Sequence, residues 1–390
     1  MRIPLSAPDI TEPEIEAVAA VLRTPNLSLG PKLEEFESAL KSLTGSPHAI
    51  AVSSGTAGLH LAMCALNIGQ RANGEPDEVI VPSFTFIAAA NAIRYVGAAP
   101  VFVDIDPTTL NLSPEAVARA ITPRTRAILV VHTFGRPAEM APIQALAKQH
   151  NLAIIEDACE AIGATYQNRP AGTLGDIGVF AFYPNKQITT GEGGAVLTAN
   201  PTLAATIRSL RNQGRRAATP DRPADAWLQH TDLGFNYRLS DIACTLGIGQ
   251  LHRLPEILAR REQVAHLYDR HLAHNSNLIL PTLDAIETCT RTSWFVYVVR
   301  LTPNFTVEDR DAIAQHLQQA GIGCGRYFAP IHLQPAYADY RNVHLSVTES
   351  EASRTLALPF FNRLTEAEVA EVAVTLQAAI SFRQSTKHPA

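Results

Sequence analysis

The sequence predicts an α/β chain: a large domain built on a mostly parallel seven-stranded sheet flanked by helices, then a smaller C-terminal α+β domain. Three observations carry this. Seven short apolar runs rich in β-branched residues, the first at 48–52 and the last at 195–198, are separated mainly by segments with helical spacing. Strands that alternate with helices pair in parallel and are covered on both faces. After Gly234 the rhythm changes to longer helical stretches with one apolar run at 294–299. Finally, 390 residues with 46% hydrophobic content are enough for two cores. The expected domains are 11–250 and 251–390, with residues 1–10 packing near the second.

In chain order, Thr11 is an N-cap followed by Pro13 and Glu14 in the first turn, and Ile15, Val18, Val21 and Leu22 give that helix an apolar face. A second helix is predicted over 31–43. The first strand, 48–52, leads through Ser54-Gly55-Thr56-Ala57 into a helix over 59–66. Strands follow at 78–81, 99–103, 127–131 and 152–155, with helices over 87–96, 114–120 and 142–149 between them. Two further strands, 179–182 and 195–198, flank a connection where Pro184-Asn185 breaks the first and Gly191 to Gly194 opens the second. Beyond Gly234, helices are predicted over 240–254 and on to 272. A strand at 294–299, a helix over 307–320 stopped by Gly321, and a last helix over 365–379 complete the chain. Residues 385–390 read as a frayed tail.

Composition narrows the function classes. A net charge of -5 gives no electrostatic footprint for nucleic acid. The five cysteines are odd in number, scattered, and without CxxC or Cys/His spacing, so they read as reduced thiols and no metal site is expected. No signal-like apolar core and no apolar run of membrane-spanning length is present. A cytoplasmic location without membrane contact is expected.

Ligands in such sheets bind at the carboxyl ends of the strands, and four features follow those ends. Gly55, Thr56 and Ala57 open a helix where backbone N–H groups and the helix dipole suit a phosphate, although Ser-Gly-Thr is equally a simple cap. Phe86 puts an aromatic at the same edge. Asp157, beside Glu156, can cap the next helix or hold a cationic ring nitrogen. Lys186 lies between two buried strands, where an ammonium without a partner is costly. The chain has only five lysines, and the other four read as helix surface or tail. An amine that must lose its proton and attack a carbonyl cannot be replaced by arginine, so Lys186 is the candidate Schiff-base lysine. Phosphate turn, aromatic plate, buried acid and lysine together suit pyridoxal phosphate.

These motifs resemble the DegT/StrS family of nucleotide-sugar aminotransferases, within pyridoxal-phosphate fold type I of the aspartate aminotransferase superfamily. The resemblance covers nearly the whole chain and includes Pro82-Ser83-Phe84-Thr85-Phe86, Ile155-Glu156-Asp157-Ala158, Phe182-Tyr183-Pro184-Asn185-Lys186, Gly234-Phe235-Asn236-Tyr237-Arg238 and Pro330-Ile331-His332-Leu333. It implies that Lys186 carries the cofactor as an imine. Asp157 would face the pyridine nitrogen, Phe86 would cover the ring, and Gly55, Thr56 and Ala57 would take the phosphate. It further implies a homodimer with shared sites, Asn236 reaching the neighbour's phosphate, and Arg238, Tyr327 and His332 approaching substrate. Two positions depart from the pattern. Ala181 stands where many members have a phosphate-binding serine. Glu160 replaces an amide at the cofactor's phenolic oxygen, so it must be protonated, turned away or bonded elsewhere.

The function so implied is transamination from glutamate to a nucleotide-linked keto-sugar, a 4-keto-6-deoxyhexose by analogy with members sharing the 186–194 segment. A keto-cyclitol acceptor is the alternative. A related dehydratase with histidine at the lysine position is opposed by Lys186, and a non-catalytic regulatory protein by the intact set of cofactor residues.

Overall fold

The computed structural model describes residues 1–69, 74–215, 229–281 and 289–387. It opens with α1 (Glu12–Val21) and α2 (Pro31–Thr44). In α1 the Glu14 carboxylate turns back to accept from the Thr11 N–H at 2.7 Å, and also accepts from Gln250 Nε2 at 2.7 Å. Glu14 and Val21 face inward, whereas Ile15 and Leu22 are exposed, so the predicted apolar face is split. A buried acid with its hydrogen bonds filled is the physical reason. The N-terminus of α2 is capped from afar, the Asp241 carboxylate accepting from the N–H groups of Gly30 (2.8 Å) and Lys32 (2.9 Å).

The alternating region follows the expected order: β1 (His48–Val52), α3 (Gly55–Ala65), β2 (Glu78–Pro82), α4 (Ala88–Tyr95), β3 (Ala99–Val103), α5 (Pro114–Ala120), β4 (Thr125–Val131), α6 (Met140–His150) and β5 (Ala153–Asp157). A small hairpin, β6 (Thr165–Tyr166) and β7 (Arg169–Pro170), precedes β8 (Ile177–Ala181), β9 (Gly194–Thr198) and α7 (Pro201–Arg211). Helix α3 begins four residues earlier than predicted, at Gly55 itself, because Ser54 is its N-cap and accepts from the Ala57 N–H at 3.1 Å.

The seven strands are ordered β1-β9-β8-β5-β4-β2-β3. From β8 to β3 neighbours run parallel, and β9 runs antiparallel to both β8 and β1. Alternation along the strands divides the core. Val79, Val81, Leu129, Val131 and Ile155 pack with α3, α4 and α7, while Ile80, Ile128, Val130 and Ile154 pack with α5 and α6. Helix α2 and α8 (Asp241–His252) cover the β8–β9–β1 end through Phe36, Leu40, Cys244 and Ile248.

Helix α9 (Leu254–Leu272) leads to β10 (Leu278–Ile279), β11 (Tyr297–Leu301), α10 (Val307–Gln319), α11 (Ser346–Arg354), β12 (Thr355–Leu358) and α12 (Glu366–Lys387). Strands β10, β11 and β12 form an antiparallel sheet. Ile3 bridges to Ile322 and packs in the core of this region.

Two predictions here need correction. The strand expected at 294–299 begins at Tyr297. Carbonyls of Trp294 and Phe295 instead accept from the buried Arg261 guanidinium at 2.6 and 2.8 Å. The last helix continues past 379 to Lys387, because Ile380 is buried, Arg383 meets Asp309 at 2.9 Å, and Gln384 donates to Asn277 at 2.6 Å. The predicted tail is therefore helical at 385–387, and its end, 388–390, lies outside the described residues.

Candidate active site

Strand β5 ends in two acids that the pleat sends to opposite faces. Glu156, fully buried, accepts from the N–H groups of Gly172 (2.8 Å), Leu174 (2.6 Å) and Gly175 (2.6 Å). His132 Nε2 lies 2.8 Å from it, and because His132 Nδ1 accepts from the Ala138 N–H at 3.1 Å, the ring proton belongs on Nε2. Glu156 is thus an anchor for the 172–175 turn. Asp157, 8% exposed, faces the other way into a cavity of about 490 Å³ at the strand ends. Its Oδ1 accepts from the Cys159 N–H at 3.2 Å.

Lys186 reaches the same cavity from the β8–β9 connection. Several bonds pin that connection. The Phe182 N–H donates to the Gly193 carbonyl at 2.9 Å, the Thr190 N–H to the Phe182 carbonyl at 3.0 Å, and the Lys186 N–H to the Tyr183 carbonyl at 2.9 Å. Gln187 Nε2 adds bonds to the carbonyls of Glu160 (2.5 Å) and Ser293 (2.6 Å). Lys186 Nζ stands 4.0 Å from the centre of the Phe295 ring and 3.4 Å from Glu160 Oε1. The ring face attracts the ammonium.

Glu160 is buried and bonded, as one of the three alternatives for this position required. Its Oε2 accepts from the Phe134 N–H at 2.9 Å. Burial pushes its carboxyl above the usual range, the Lys186 charge and the Phe134 bond pull it back, and Asp157 adds to the rise. Burial, followed by the Asp157 charge, likewise holds the Cys159 thiol well up.

The N-terminus of α3 forms another wall. Gly55 and Thr56 line the cavity, whereas the Ala57 N–H is already taken by the Ser54 hydroxyl and Ala57 is buried. The helix meets the strand with no side chain of its own: a Cβ on Gly55 would lie 2.7 Å from Ala181 Cβ and 2.8 Å from Cys159 Sγ. Ala181 lines the cavity without a hydroxyl. Phe86 lines it with 63% of its surface exposed. Tyr327 and Phe328 line it as well.

Three expected site residues stand elsewhere. His332 is fully buried, with Nδ1 2.7 Å from the Ser83 hydroxyl and Nε2 3.3 Å from Glu349. It fastens the segment after Phe328 to the end of β2 and does not line the cavity. Asn236 is exposed and bridges to Asn212, and Arg238 donates to Asn212 Oδ1 at 3.0 Å. Neither lines the cavity of its own chain. Sequence reasoning missed Phe295, Phe328, Tyr183, Asn185 and Glu192, all of which line it. Tyr183 and Asn185 stand in the same motif as Lys186, and Phe328 follows Tyr327, which was already singled out; for Phe295, which comes from beyond α9, no local signal exists.

A profile of the DegT/DnrJ/EryC1/StrS aminotransferase family matches residues 8–377. The chain belongs to this family. It is 40% identical over 380 residues to GDP-perosamine synthase of Caulobacter vibrioides, covering 97% of this chain and 98% of the relative. Among solved structures it resembles the sugar aminotransferase Spr1654 of Streptococcus pneumoniae in its PMP-form, with TM-score 0.90, 28% identity, and 97% and 99% of the two chains covered. It also resembles Helicobacter pylori PseC, an aminotransferase of pseudoaminic acid biosynthesis, with TM-score 0.90, 27% identity, and 98% and 100% covered.

As a DegT/StrS-family member the protein is an aminotransferase that uses pyridoxal phosphate. The residues present fit that group. The amides of Gly55 and Thr56 sit at a helix N-terminus for a phosphate, and Asp157 offers a buried carboxylate. Lys186 offers the amine, and the buried Asn185 Oδ1 has no hydrogen-bond partner among the described residues. Among the described residues no helix is long and apolar enough to cross a membrane.

Proposed function

We propose that this enzyme moves an amino group from glutamate to the keto carbon of a nucleotide-linked sugar, a 4-keto-6-deoxyhexose. The observation that carries the reading is the 40% identity, over nearly the full length of both chains, to GDP-perosamine synthase. The cavity supports it: about 490 Å³ lies within the range of small-molecule sites, and its rim residues Phe86 and Tyr183 are exposed.

Pyridoxal phosphate, when bound, supplies the electron sink that makes the C–H bond beside the transferred nitrogen acidic. The chain does the rest. Gly55 and Thr56 N–H groups would hold the phosphate, and Asp157 would hold the ring nitrogen in its protonated form. Phe86 would cover the ring, and Phe295 and Tyr327, which line the same cavity, would help exclude water from it. Lys186 Nζ takes the proton from the donor's carbon and returns it on the acceptor side. Asn236 and Arg238 serve the neighbouring subunit's cavity in a homodimer, a reading supported by the exposure of Leu22, Leu27, Leu29 and Leu233.

Purified protein given pyridoxal phosphate, glutamate and a nucleoside-diphosphate 4-keto-6-deoxyhexose is expected to yield the amino sugar nucleotide by mass spectrometry, and Lys186→Ala none. Amination of an inosose but not of the nucleotide sugar would overturn the acceptor, and turnover only with another amino acid would overturn the donor. Mixing equal amounts of Lys186→Ala and Asn236→Ala subunits is expected to restore about a quarter of wild-type activity, since half the dimers then carry one complete site. No recovery would remove the shared site.

A further inference from the structure

Glu160 is a carboxyl in an unusual setting: buried, near a second acid, and next to the amine that must act as a nucleophile. Its surroundings are specific. Oε2 is held by the Phe134 N–H at 2.9 Å, which leaves Oε1 turned to Lys186 Nζ at 3.4 Å. The titratable groups that act on it are Lys186, Asp157, Cys159 and Tyr327. Of these Lys186 is the only cation, and the ion pair it makes among the described residues is with Glu160. The Phe295 ring on the other side of Nζ can attract an ammonium but cannot take its proton.

We propose that Glu160 is the proton acceptor for Lys186: one proton passes from Nζ to Oε1, leaving a neutral amine and a neutral carboxylic acid. The nitrogen keeps its electron pair for attack on the cofactor's aldehyde carbon. Total charge is unchanged by the transfer. Two separated charges disappear from a buried site, which lowers the desolvation cost of both. Burial also raises the affinity of Glu160 for the proton it receives. Asp157 contributes in the same direction, because a second anion close by disfavours ionised Glu160. In this arrangement Glu160 supplies the acceptor, 3.4 Å from Nζ, that frees the Lys186 electron pair for attack.

The inference rests on pyridoxal phosphate binding at Lys186, and the test separates the two. Cofactor-free wild type and Glu160→Gln are mixed with pyridoxal phosphate, and growth of the visible absorbance is followed by stopped flow across a pH series. Glu160→Gln is expected to load about a hundredfold more slowly at neutral pH, in the range usual for loss of a general base, and to regain rate as the pH rises. The amide keeps the size and the Phe134 bond but accepts no proton. If the carboxylate merely stabilised the ammonium, its removal would make Lys186 more acidic and loading faster; equal or faster loading overturns the proposal. Infrared difference spectra of wild type alone, with carboxyl-labelled glutamate, give a reading that needs no variant. A protonated carboxyl stretch appearing on loading supports the transfer, and its absence overturns it. Wild type that develops no absorbance would remove the cofactor site, and the proposal with it.

Discussion

At the scale of the residue, the adjacent acids of β5 show how one bond of backbone separates structure from chemistry. Glu156 and Asp157 differ by one position, so the pleat sends them to opposite faces. Glu156→Gln is expected to lose about 3 kcal/mol of stability, because an amide nitrogen cannot accept from the N–H groups now converging there. Thermal melts should report it, while cofactor loaded in the folded fraction stays normal. Asp157→Asn should do the reverse, with a small change in melting and kcat lower by about a hundredfold or more. Both acids were legible in the sequence as a pair at a strand end. Asp157 is the one the sequence assigns to the ring nitrogen, and it lines the cavity; the anchoring role of Glu156 was not legible, because its partners lie in the distant 172–175 turn. His332 misled for a different reason: a histidine in a polar motif reads alike whether it meets substrate or, as here, Ser83 and Glu349.

At the scale of the element, the decisive contact is the crossing of α3 over the end of β8. Gly55 lets the helix start directly against the Ala181 and Cys159 side chains, adding none of its own. Gly55→Ala is expected to push the helix terminus away, costing about 1–3 kcal/mol and weakening cofactor affinity about tenfold, measured by absorbance titration. The alternation of strand and helix was readable because buried parallel strands are short apolar runs. The start of β11 was not. Trp294, Phe295 and Val296 have the composition of a strand, but the Arg261 guanidinium takes the carbonyls of the first two. That long-range choice also sets the Phe295 ring against Lys186, so the same partner that spoiled the strand prediction completes the site.

At the scale of the molecule, Asp9 joins three regions. Its Oδ2 accepts from Arg253 at 2.9 Å and Asn362 at 3.2 Å, its Oδ1 accepts from Arg363 at 2.7 Å, and its carbonyl accepts from Gln250 at 2.9 Å. Burial pushes the Asp9 carboxyl up, but the bonds from Asn362, Arg363 and Arg253 outweigh it and hold it below the usual carboxylate range. A carboxyl depressed in the folded state adds stability above its unfolded pKa and loses it as pH falls through the folded one. Asp9→Asn is therefore expected to be less stable than wild type by about 2–3 kcal/mol at neutral pH. The gap should close in strongly acid solution, as followed by denaturant melts across pH; a constant gap would show that shape rather than charge was lost.

The reversed direction of β9 has one more consequence. In a parallel sheet each strand hands the chain to a crossover helix, which can lift away while the strands stay paired. The chain here leaves β8 and returns at once as β9, with the connection bonded to itself at Phe182, Thr190 and Gly193. Lys186 is thus fastened at both ends to neighbouring strands in the interior of the sheet. Separating the two ends of the connection means parting those strands, and that means opening the domain. In hydrogen exchange the buried Phe182 amide, which ties the two ends of the connection together at Gly193, should keep time with the slowest protons of the core, so the residue we propose as the catalytic amine hangs from one of the slowest clocks in the molecule.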